Sequence, residues 1–212
     1  MSNYWDNLME DDEHAASYMV MYGEGPGCDT RKTISQFINP GETVLDVGCG
    51  PAWNADHFIE FGPMIAAYKG TDYSPRFVRV ANERIKEKYD TFFHGATLIE
   101  LGDCRDIKEK DNSWDVVILQ DILEHTNGYE KTTEEALRVA KKRVIVTFWH
   151  MDHKVTTHIN DDRDKGEEGY GAWYNQDEWE EYIDSLPYMW TMIESKPTDN
   201  RQHLFYVIDK EE

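Results

Sequence analysis

The sequence is poor in basic residues: 22 lysines and arginines stand against 42 aspartates and glutamates, for a formal net charge of −20 at pH 7. The deficit is uneven, since residues 1–30 contain seven acidic residues and no lysine or arginine. A protein that grips nucleic acid through its phosphates needs the opposite balance. Nucleic acid is therefore an unfavoured partner, whereas a neutral or cationic small molecule is compatible with this charge.

Cysteines and long apolar runs are also scarce. The three cysteines are widely spaced and suggest neither a disulfide framework nor a zinc knuckle. No run approaches the roughly 20 apolar residues that a membrane-spanning helix needs. The acidic N-terminus lacks the apolar core of a secretion signal. These absences predict a protein without a membrane span, located in the reducing cytoplasm.

Strand-like apolar runs alternate with amphipathic segments from residue 42 onward, as an α/β domain requires. The predicted strands are residues 44–47, 64–72, 96–103, 114–121, 143–150, 188–195 and 202–209. The last two are joined by a short link and must therefore be antiparallel. The predicted helices begin near Ala52, at Pro75, at Thr132 or Thr133 and at residue 175, with Lys141, Lys142 and Arg143 at the C-terminal end of the third.

Two segments fall outside this alternation. Residues 1–40 are predicted as a helix, a glycine-rich turn and a short helix from Thr30, and residues 41–212 as the main domain. Within that domain, residues 151–174 include a polar, acidic stretch without clear period, which predicts a functional or mobile loop.

The most informative stretch is VLDVGCGPAWNA, residues 44–55. It predicts a buried strand, a tight turn at Gly48-Cys49-Gly50 and a helix, the element that brings a nucleotide-like ligand against bare backbone N–H groups. Asp46 stands where an NAD-binding fingerprint is usually apolar or small, which favours a different nucleoside ligand. Ala52 replaces the usual third glycine, and bulky Trp53 follows it.

Three further motifs follow in order: GTDYS (70–74), LGDCRD (101–106) and WDVVILQDILEH (114–125). With LDVGCG (45–50), they resemble the class I S-adenosylmethionine-dependent methyltransferases, particularly the small-molecule group with ubiquinone- and menaquinone-type enzymes. The resemblance implies a Rossmann-like, doubly wound seven-stranded α/β sheet, mostly parallel with a C-terminal antiparallel strand pair. It also implies S-adenosylmethionine as the cofactor.

The cofactor residues expected from these motifs lie at the carboxyl ends of parallel strands, where open α/β sheets bind ligands. Asp72 suits the two ribose hydroxyls, Asp103 the adenine amino group, and Asp46 the methionine ammonium. The full set is Asp46, Gly48, Cys49, Gly50, Asp72, Tyr73, Asp103, Cys104 and Gln120. The two cysteines are near the cofactor by position and are expected to be buried small hydrophobic residues.

Methyl transfer to a hydroxyl or ammonium group needs a base that removes a proton. His125 follows the fourth strand near the transferable methyl and is the first candidate; His150, at the tip of the fifth, is the second. The alternative for His125 is packing or hydrogen bonding around the cofactor.

Aromatic residues suggest the acceptor pocket. Tyr170, Trp173 and Tyr174 are its expected walls, and Tyr18 and Tyr22 belong to an N-terminal helix that could close it as a lid. Such walls suit an amine through cation–π contacts and equally suit a flat phenol. The alternative is that these aromatics only anchor the segment to the sheet.

A metal is not expected, because His150, Asp152, His153 and His158 show no ordered zinc spacing. The predicted function is methyl transfer from S-adenosylmethionine to oxygen or nitrogen of a small molecule. Two alternatives stay open: a nucleic-acid or protein methyltransferase, and a non-catalytic cofactor-binding subunit that supports a partner.

Overall fold

The computed structural model describes residues 26–89, 97–149, 151–152, 157–159, 171–195 and 203–210. The helices of this part of the chain are α1 (Pro26–Ser35), α2 (Trp53–Glu60), α3 (Pro75–Tyr89), α4 (Glu130–Val139) and α5 (Gln176–Asp184). Its strands are β1 (Thr43–Val47), β2 (Ala67–Asp72), β3 (Thr97–Leu101), β4 (Trp114–Gln120), β5 (Ala140–Phe148), β6 (Met151–Asp152), β7 (Thr157–Ile159), β8 (Gly171–Asn175), β9 (Met189–Ser195) and β10 (His203–Asp209).

Seven of these strands form one sheet in the order β3-β2-β1-β4-β5-β10-β9. The first five are parallel to one another, and β10 runs antiparallel to both β5 and β9. The predicted Rossmann-like doubly wound sheet with its C-terminal antiparallel pair is confirmed, and β4 is its central strand. The strand order reverses between β1 and β4, so a crevice opens there at the carboxyl ends of the strands.

Alternating side chains of β1 face two separate apolar layers. Leu45 and Val47 pack with α4 and α5 on one face, whereas Val44 packs with residues of α1, α2 and α3 on the other. Asp46 has the same parity as Val44 and therefore points toward the face that α1 and α2 cover. The buried position of this acid follows directly from strand periodicity.

Local capping signals set two helix starts where they were expected. The N–H of Phe77 donates to the hydroxyl of Ser74 at 3.2 Å, and Pro75 occupies the first helical position of α3. The side chain of Asn175 accepts from the N–H groups of Asp177 and Glu178 and caps α5.

The end of α4 differs from the prediction. The helix begins at Glu130 and ends at Val139, and Ala140 is already extended. Lys141, Lys142 and Arg143 therefore belong to β5 and do not complement the helix dipole. The backbone of this segment pairs with β4, and the ammonium of Lys142 lies 3.3 Å from carboxylate oxygens of both Glu42 and Asp115.

Two smaller expectations also change. Helix α1 begins at Pro26 and not at Thr30. The predicted loop after β5 contains strands: β6, β8 and β7 form a second, three-stranded sheet in that order. Each of these strands is at most five residues long, too short for a periodic sequence signal.

None of the helices in the described ranges is long and apolar enough to cross a bilayer.

Candidate functional site

The turn between β1 and α2 is held tightly against β2. The N–H groups of Gly48 and Cys49 both donate to the carbonyl of Thr71, at 2.7 and 3.0 Å. Gly48 has φ +71°, and a Cβ built there would lie 2.0 Å from Cδ1 of Ile122. Glycine at position 48 is thus needed both for its left-handed backbone and for the close approach of Ile122, in the segment that follows β4.

Gly50 meets a different environment. It is buried and has φ +51°, yet a Cβ built on it would find no atom within 4 Å. Its N–H donates to Oδ2 of Asp72 at 2.8 Å, and Oδ1 of Asp72 accepts from the N–H of Ser74, also at 2.8 Å. The ring of Tyr73 is 44% exposed. An open space therefore adjoins the turn beside the acid that ends β2.

Asp46 lies in a buried hydrogen-bond network. Its Oδ2 accepts from the hydroxyl of Tyr68 at 2.6 Å and from Nδ2 of Asn54 at 3.0 Å. The same Nδ2 donates to Oε1 of Gln120 at 3.0 Å. Two predicted cofactor residues, Asp46 and Gln120, are thus joined by Asn54, which sequence reasoning missed. The available signal was a polar residue in the first turn of α2.

Two acceptor oxygens of this network have no hydrogen-bond donor among the described residues. Oδ1 of Asp46 and Oδ1 of Asn54 are buried, and no donor among the described residues reaches either one. Burial raises the pKa of Asp46 to about 6, against the lowering effect of Tyr68, Asn54 and the nearby charge of Arg31. Buried polar atoms are normally paired. Two adjacent acceptors that both lack donors fit a ligand that brings a cationic hydrogen-bond donor.

Arg31 is a second residue that the sequence did not single out. It lies on α1, is 4% exposed, and is close enough to Asp46 to lower the pKa of that carboxyl. A buried cation beside a buried acid can serve a ligand that carries both an ammonium and a carboxylate.

Asp103 follows β3 and forms a two-point ion pair. Its Oδ1 accepts from Nε of Arg105 at 3.0 Å, and its Oδ2 from Nη2 at 2.8 Å. Hydrogen bonding to Arg105 holds the pKa of Asp103 below its usual value. The next residue, Cys104, accepts a hydrogen bond from the Thr132 hydroxyl at 3.6 Å. Burial raises the pKa of the thiols of Cys104 and Cys49.

The segment after β4 turns sharply. Asp121 has φ +52°, and its Oδ1 accepts from the hydroxyl of Thr147 at 2.6 Å. A single 3₁₀ turn over Leu123–His125 follows, in which the N–H of His125 donates to the carbonyl of Ile122 at 2.9 Å. His125 is half-buried at the end of this turn. The candidate base is thus carried by a strained turn at the carboxyl end of the central strand.

Glu124 is fully buried in this turn. Its Oε1 accepts from the N–H of Trp149 at 2.9 Å, while Oε2 meets no donor among the described residues. Burial, with the charge of Asp121 in addition, raises the pKa of Glu124 well above its usual value. The carboxyl group ties the turn to the end of β5.

We expect Glu124→Gln to change the free energy of unfolding at pH 7 by less than about 1 kcal/mol, because a neutral amide can still accept from Trp149. Glu124→Ala should cost about 3 kcal/mol through a cavity and an unpaired N–H. Glu135→Gln is the matched control: hydrogen bonds from Arg138 lower the pKa of Glu135, so loss of its charge should destabilise. Urea unfolding measures all three. Equal losses for both Glu124 variants would contradict the raised pKa of Glu124.

The predicted acceptor residues are separated by the structure. Trp173 is half-buried on β8, with its ring 6.4 Å from that of Trp149. Tyr174 is 2% exposed, and its hydroxyl donates to the carbonyl of Thr126 at 2.7 Å. This buried position in the core does not support its predicted contact with an acceptor; the ring instead braces the segment after His125. The predicted residues outside the described residues are Tyr18, Tyr22, His150 and Tyr170.

A metal site has no support within the described part of the chain, where no three His, Cys, Asp or Glu side chains are grouped to hold an ion. The side chains of His150, Asp152, His153 and His158 lie outside that part. The expectation of no metal stays a prediction.

Comparison with known sequences identifies the segment that contains this site. Residues 45–148 match the family described as "Methyltransferase domain". The demethylmenaquinone methyltransferase of Listeria welshimeri is 32% identical over 105 residues, which are 49% of this chain and 42% of that protein. The chain thus matches less than half the length of this curated relative.

Solved structures share the fold. Magnesium protoporphyrin IX methyltransferase from Synechocystis, with bound S-adenosylhomocysteine, has a TM-score of 0.67 at 15% identity, over 92% of this chain and 93% of that one. A chain from the complex of a methyltransferase activator and a methyltransferase of Haloferax volcanii has a TM-score of 0.72 at 15% identity, over 100% of both chains. At these identities the likeness concerns the fold alone.

Proposed function

We propose that the chain, whose residues 45–148 match a methyltransferase domain, is a class I S-adenosylmethionine-dependent methyltransferase that methylates an oxygen or nitrogen atom of a small molecule. The observation that carries the cofactor assignment is the pair of buried acceptors without donors, Oδ1 of Asp46 and Oδ1 of Asn54, beside the open space at Gly50. A ligand with an ammonium group and a flat nucleoside fits both features.

We assign binding of the methionine end of the cofactor to Asp46, Asn54 and Arg31. The two free acceptor oxygens receive the ammonium, and the buried guanidinium of Arg31 compensates the carboxylate. When bound, S-adenosylmethionine supplies a methyl group on a sulfonium, which a nucleophile can displace. The protein contributes alignment and a charge environment that is assembled before the ligand arrives.

We assign the nucleoside end of the cofactor to Asp72, at the end of β2, and Asp103, after β3. Asp72 receives the ribose hydroxyls while its bonds from Gly50 and Ser74 fix its orientation. Asp103 accepts a hydrogen bond from the adenine amino group while it keeps its two hydrogen bonds from Arg105. Tyr73, partly exposed after β2, is placed to cover the base.

Proton removal from the acceptor is assigned to His125, with His150 as the second candidate. The buried Glu124 and the braced turn hold the backbone of His125 at the carboxyl end of β4. We assign the acceptor pocket to the segment 151–174 and its closure to residues 1–40, which carry Tyr18 and Tyr22. The charge of −20 supports a neutral or cationic acceptor over nucleic acid.

Calorimetric titration with S-adenosylmethionine and S-adenosylhomocysteine tests the cofactor assignment. The wild type should bind both with micromolar dissociation constants. It should also bind adenosine about 10–100-fold more tightly than 2′,3′-dideoxyadenosine, because a buried carboxylate accepts from both hydroxyls. In Asp72→Asn this ratio should fall below about fivefold.

The ratio separates recognition from folding, since Asp72 also orients Gly50 and the variant can weaken every ligand equally. An unchanged ratio in the variant would remove Asp72 from the ribose site. A folded wild type that binds neither cofactor form, at low and at high salt, would overturn the proposed function.

A second candidate function is a cofactor-binding subunit that supports a partner. Two large apolar side chains close in sequence favour it: Phe61 is 77% exposed and Met64 is 82% exposed. The Haloferax volcanii chain, from a complex with a methyltransferase activator, offers a precedent of the same fold. Transfer of labelled methyl from S-adenosylmethionine to a panel of amines and phenols, by the chain alone, would decide for the enzyme.

A further inference from the structure

Trp53, which follows the position of the missing third glycine, has a partner on another helix. It is the first residue of α2, and its indole ring is half-buried. The guanidinium carbon of Arg84, on α3, lies 4.0 Å from the centre of that ring. Trp53 thus forms a cation–π contact behind the glycine turn.

Arg84 also binds the backbone of the turn. Its Nη2 donates to the carbonyl of Ala52 at 3.0 Å and to the carbonyl of Pro51. Its Nη1 forms an ion pair with the carboxylate of Asp56 in the first turn of α2. One side chain, 16% exposed, therefore contacts four residues of the turn and the helix start.

The backbone at Ala52 explains why such a contact is needed. Ala52 has φ 60° and ψ 44°, a left-handed conformation that a side chain disfavours. It stands at the N-cap position, where alanine offers no side-chain hydrogen bond to α2. The conformation is kept only if its surroundings impose it.

We propose that Arg84 is a positioning residue that holds the glycine turn in its cofactor-binding conformation. Together with Trp53 and Asp56, it stabilises the left-handed backbone at Ala52, which a third glycine would adopt without such contacts. The turn then presents Gly50 to the open space and to Asp72, on the strand that precedes α3. The inference rests on the proposed cofactor, and Arg84 itself acts through the turn.

The test compares Arg84→Met, Ala52→Gly and the double variant. Arg84→Met should weaken S-adenosylhomocysteine binding about 10–50-fold in calorimetric titration. Glycine accepts the left-handed conformation without penalty, so adding Ala52→Gly should restore affinity to within about threefold of the wild type.

Arg138→Met is the matched control. Arg138, on α4, likewise donates to two backbone carbonyls, those of Glu109 and Ile107, and pairs with Glu135. We expect this variant to lower the unfolding temperature as Arg84→Met does, without a loss of affinity.

Amide hydrogen exchange of residues 48–54 without ligand gives a readout independent of the cofactor. Exchange should be faster in Arg84→Met and slower again in the double variant. Normal affinity in Arg84→Met, or a loss that Ala52→Gly does not restore, would overturn the positioning role. If the wild type binds no cofactor, the proposed function fails, and exchange alone decides whether Arg84 holds the turn.

Discussion

Gly48→Ala should reduce S-adenosylhomocysteine affinity at least about thirtyfold, equivalent to about 2 kcal/mol. The new Cβ would lie 2.0 Å from Cδ1 and 3.0 Å from Cγ1 of Ile122, at a φ of +71°. Left-handed strain of about 1–2 kcal/mol adds to overpacking of about 1–3 kcal/mol, so the free energy of unfolding should fall by about 2–5 kcal/mol. Calorimetric titration and urea unfolding measure the two losses.

Two other glycines separate strain from contact. Gly41 has φ +86° and would meet nothing within 4 Å, far from the site before β1, so Gly41→Ala should cost about 1 kcal/mol of stability and no affinity. Gly50 has φ +51° and equally open surroundings. Gly50→Ala should therefore resemble Gly41→Ala in stability but lose cofactor affinity, because its Cβ enters the proposed ligand space.

The three variants together locate the ligand. If Gly50→Ala binds S-adenosylhomocysteine normally, the open space at the turn is not the cofactor site. If Gly48→Ala behaves like Gly41→Ala in both measurements, Ile122 yields to the added methyl and the turn is less constrained than its contacts indicate.

Asp46→Asn should make the ligand-free protein more stable at pH 8 while it weakens cofactor binding. Because the pKa of Asp46 is raised to about 6 in the folded protein, its contribution to stability is fully present below pH 4 and is lost as pH rises through 6. At pH 8 the buried carboxylate costs about 3 kcal/mol. Asparagine avoids this cost, so the two proteins should differ at pH 8 and converge near pH 4.

Affinity should change in the opposite direction. An amide cannot pair with an ammonium as a carboxylate does, so S-adenosylhomocysteine should bind about 10–100-fold more weakly. A gain in stability with a loss of binding marks a residue kept for function.

Asp115→Asn is the control, for which we expect the opposite change in stability at pH 8. Although burial opposes it, hydrogen bonds from Thr43 and Lys142 hold the pKa of Asp115 below its usual value. This variant should lose stability at pH 8 and keep its affinity. A stability of Asp46→Asn that is independent of pH would contradict the raised pKa of Asp46.

Much of the fold could be predicted because its signals are local. Strands such as β4 and β10 are apolar runs of their own, and Ser74-Pro75 marks a helix start within two residues. The motifs also place Asp46, Asp72 and Asp103 at strand ends, where topology brings them to one edge of the sheet.

The rest depends on contacts between distant segments. Nothing local to Asn54, Arg31 or Arg84 indicates that α1, α2 and α3 bring them to the glycine turn. Tyr174 is an aromatic residue of the kind expected in a pocket wall. Its place in the core, with a hydrogen bond to Thr126, is seen only in the structure. Lys142 would suit a helix end equally well. It lies in a strand, where its ammonium forms ion pairs with two acids on neighbouring segments.

The hydrogen bond of 2.9 Å between the Thr30 hydroxyl on α1 and Nδ1 of His203 joins residues 173 positions apart. Strand β10, which begins at His203, also completes the sheet between β5 and β9. During synthesis on the ribosome, α1 therefore lacks this anchor until residue 203 has emerged. Since α1 carries Arg31, the nascent chain can form the parallel strands first and completes the proposed cofactor pocket only after β10 has been synthesised.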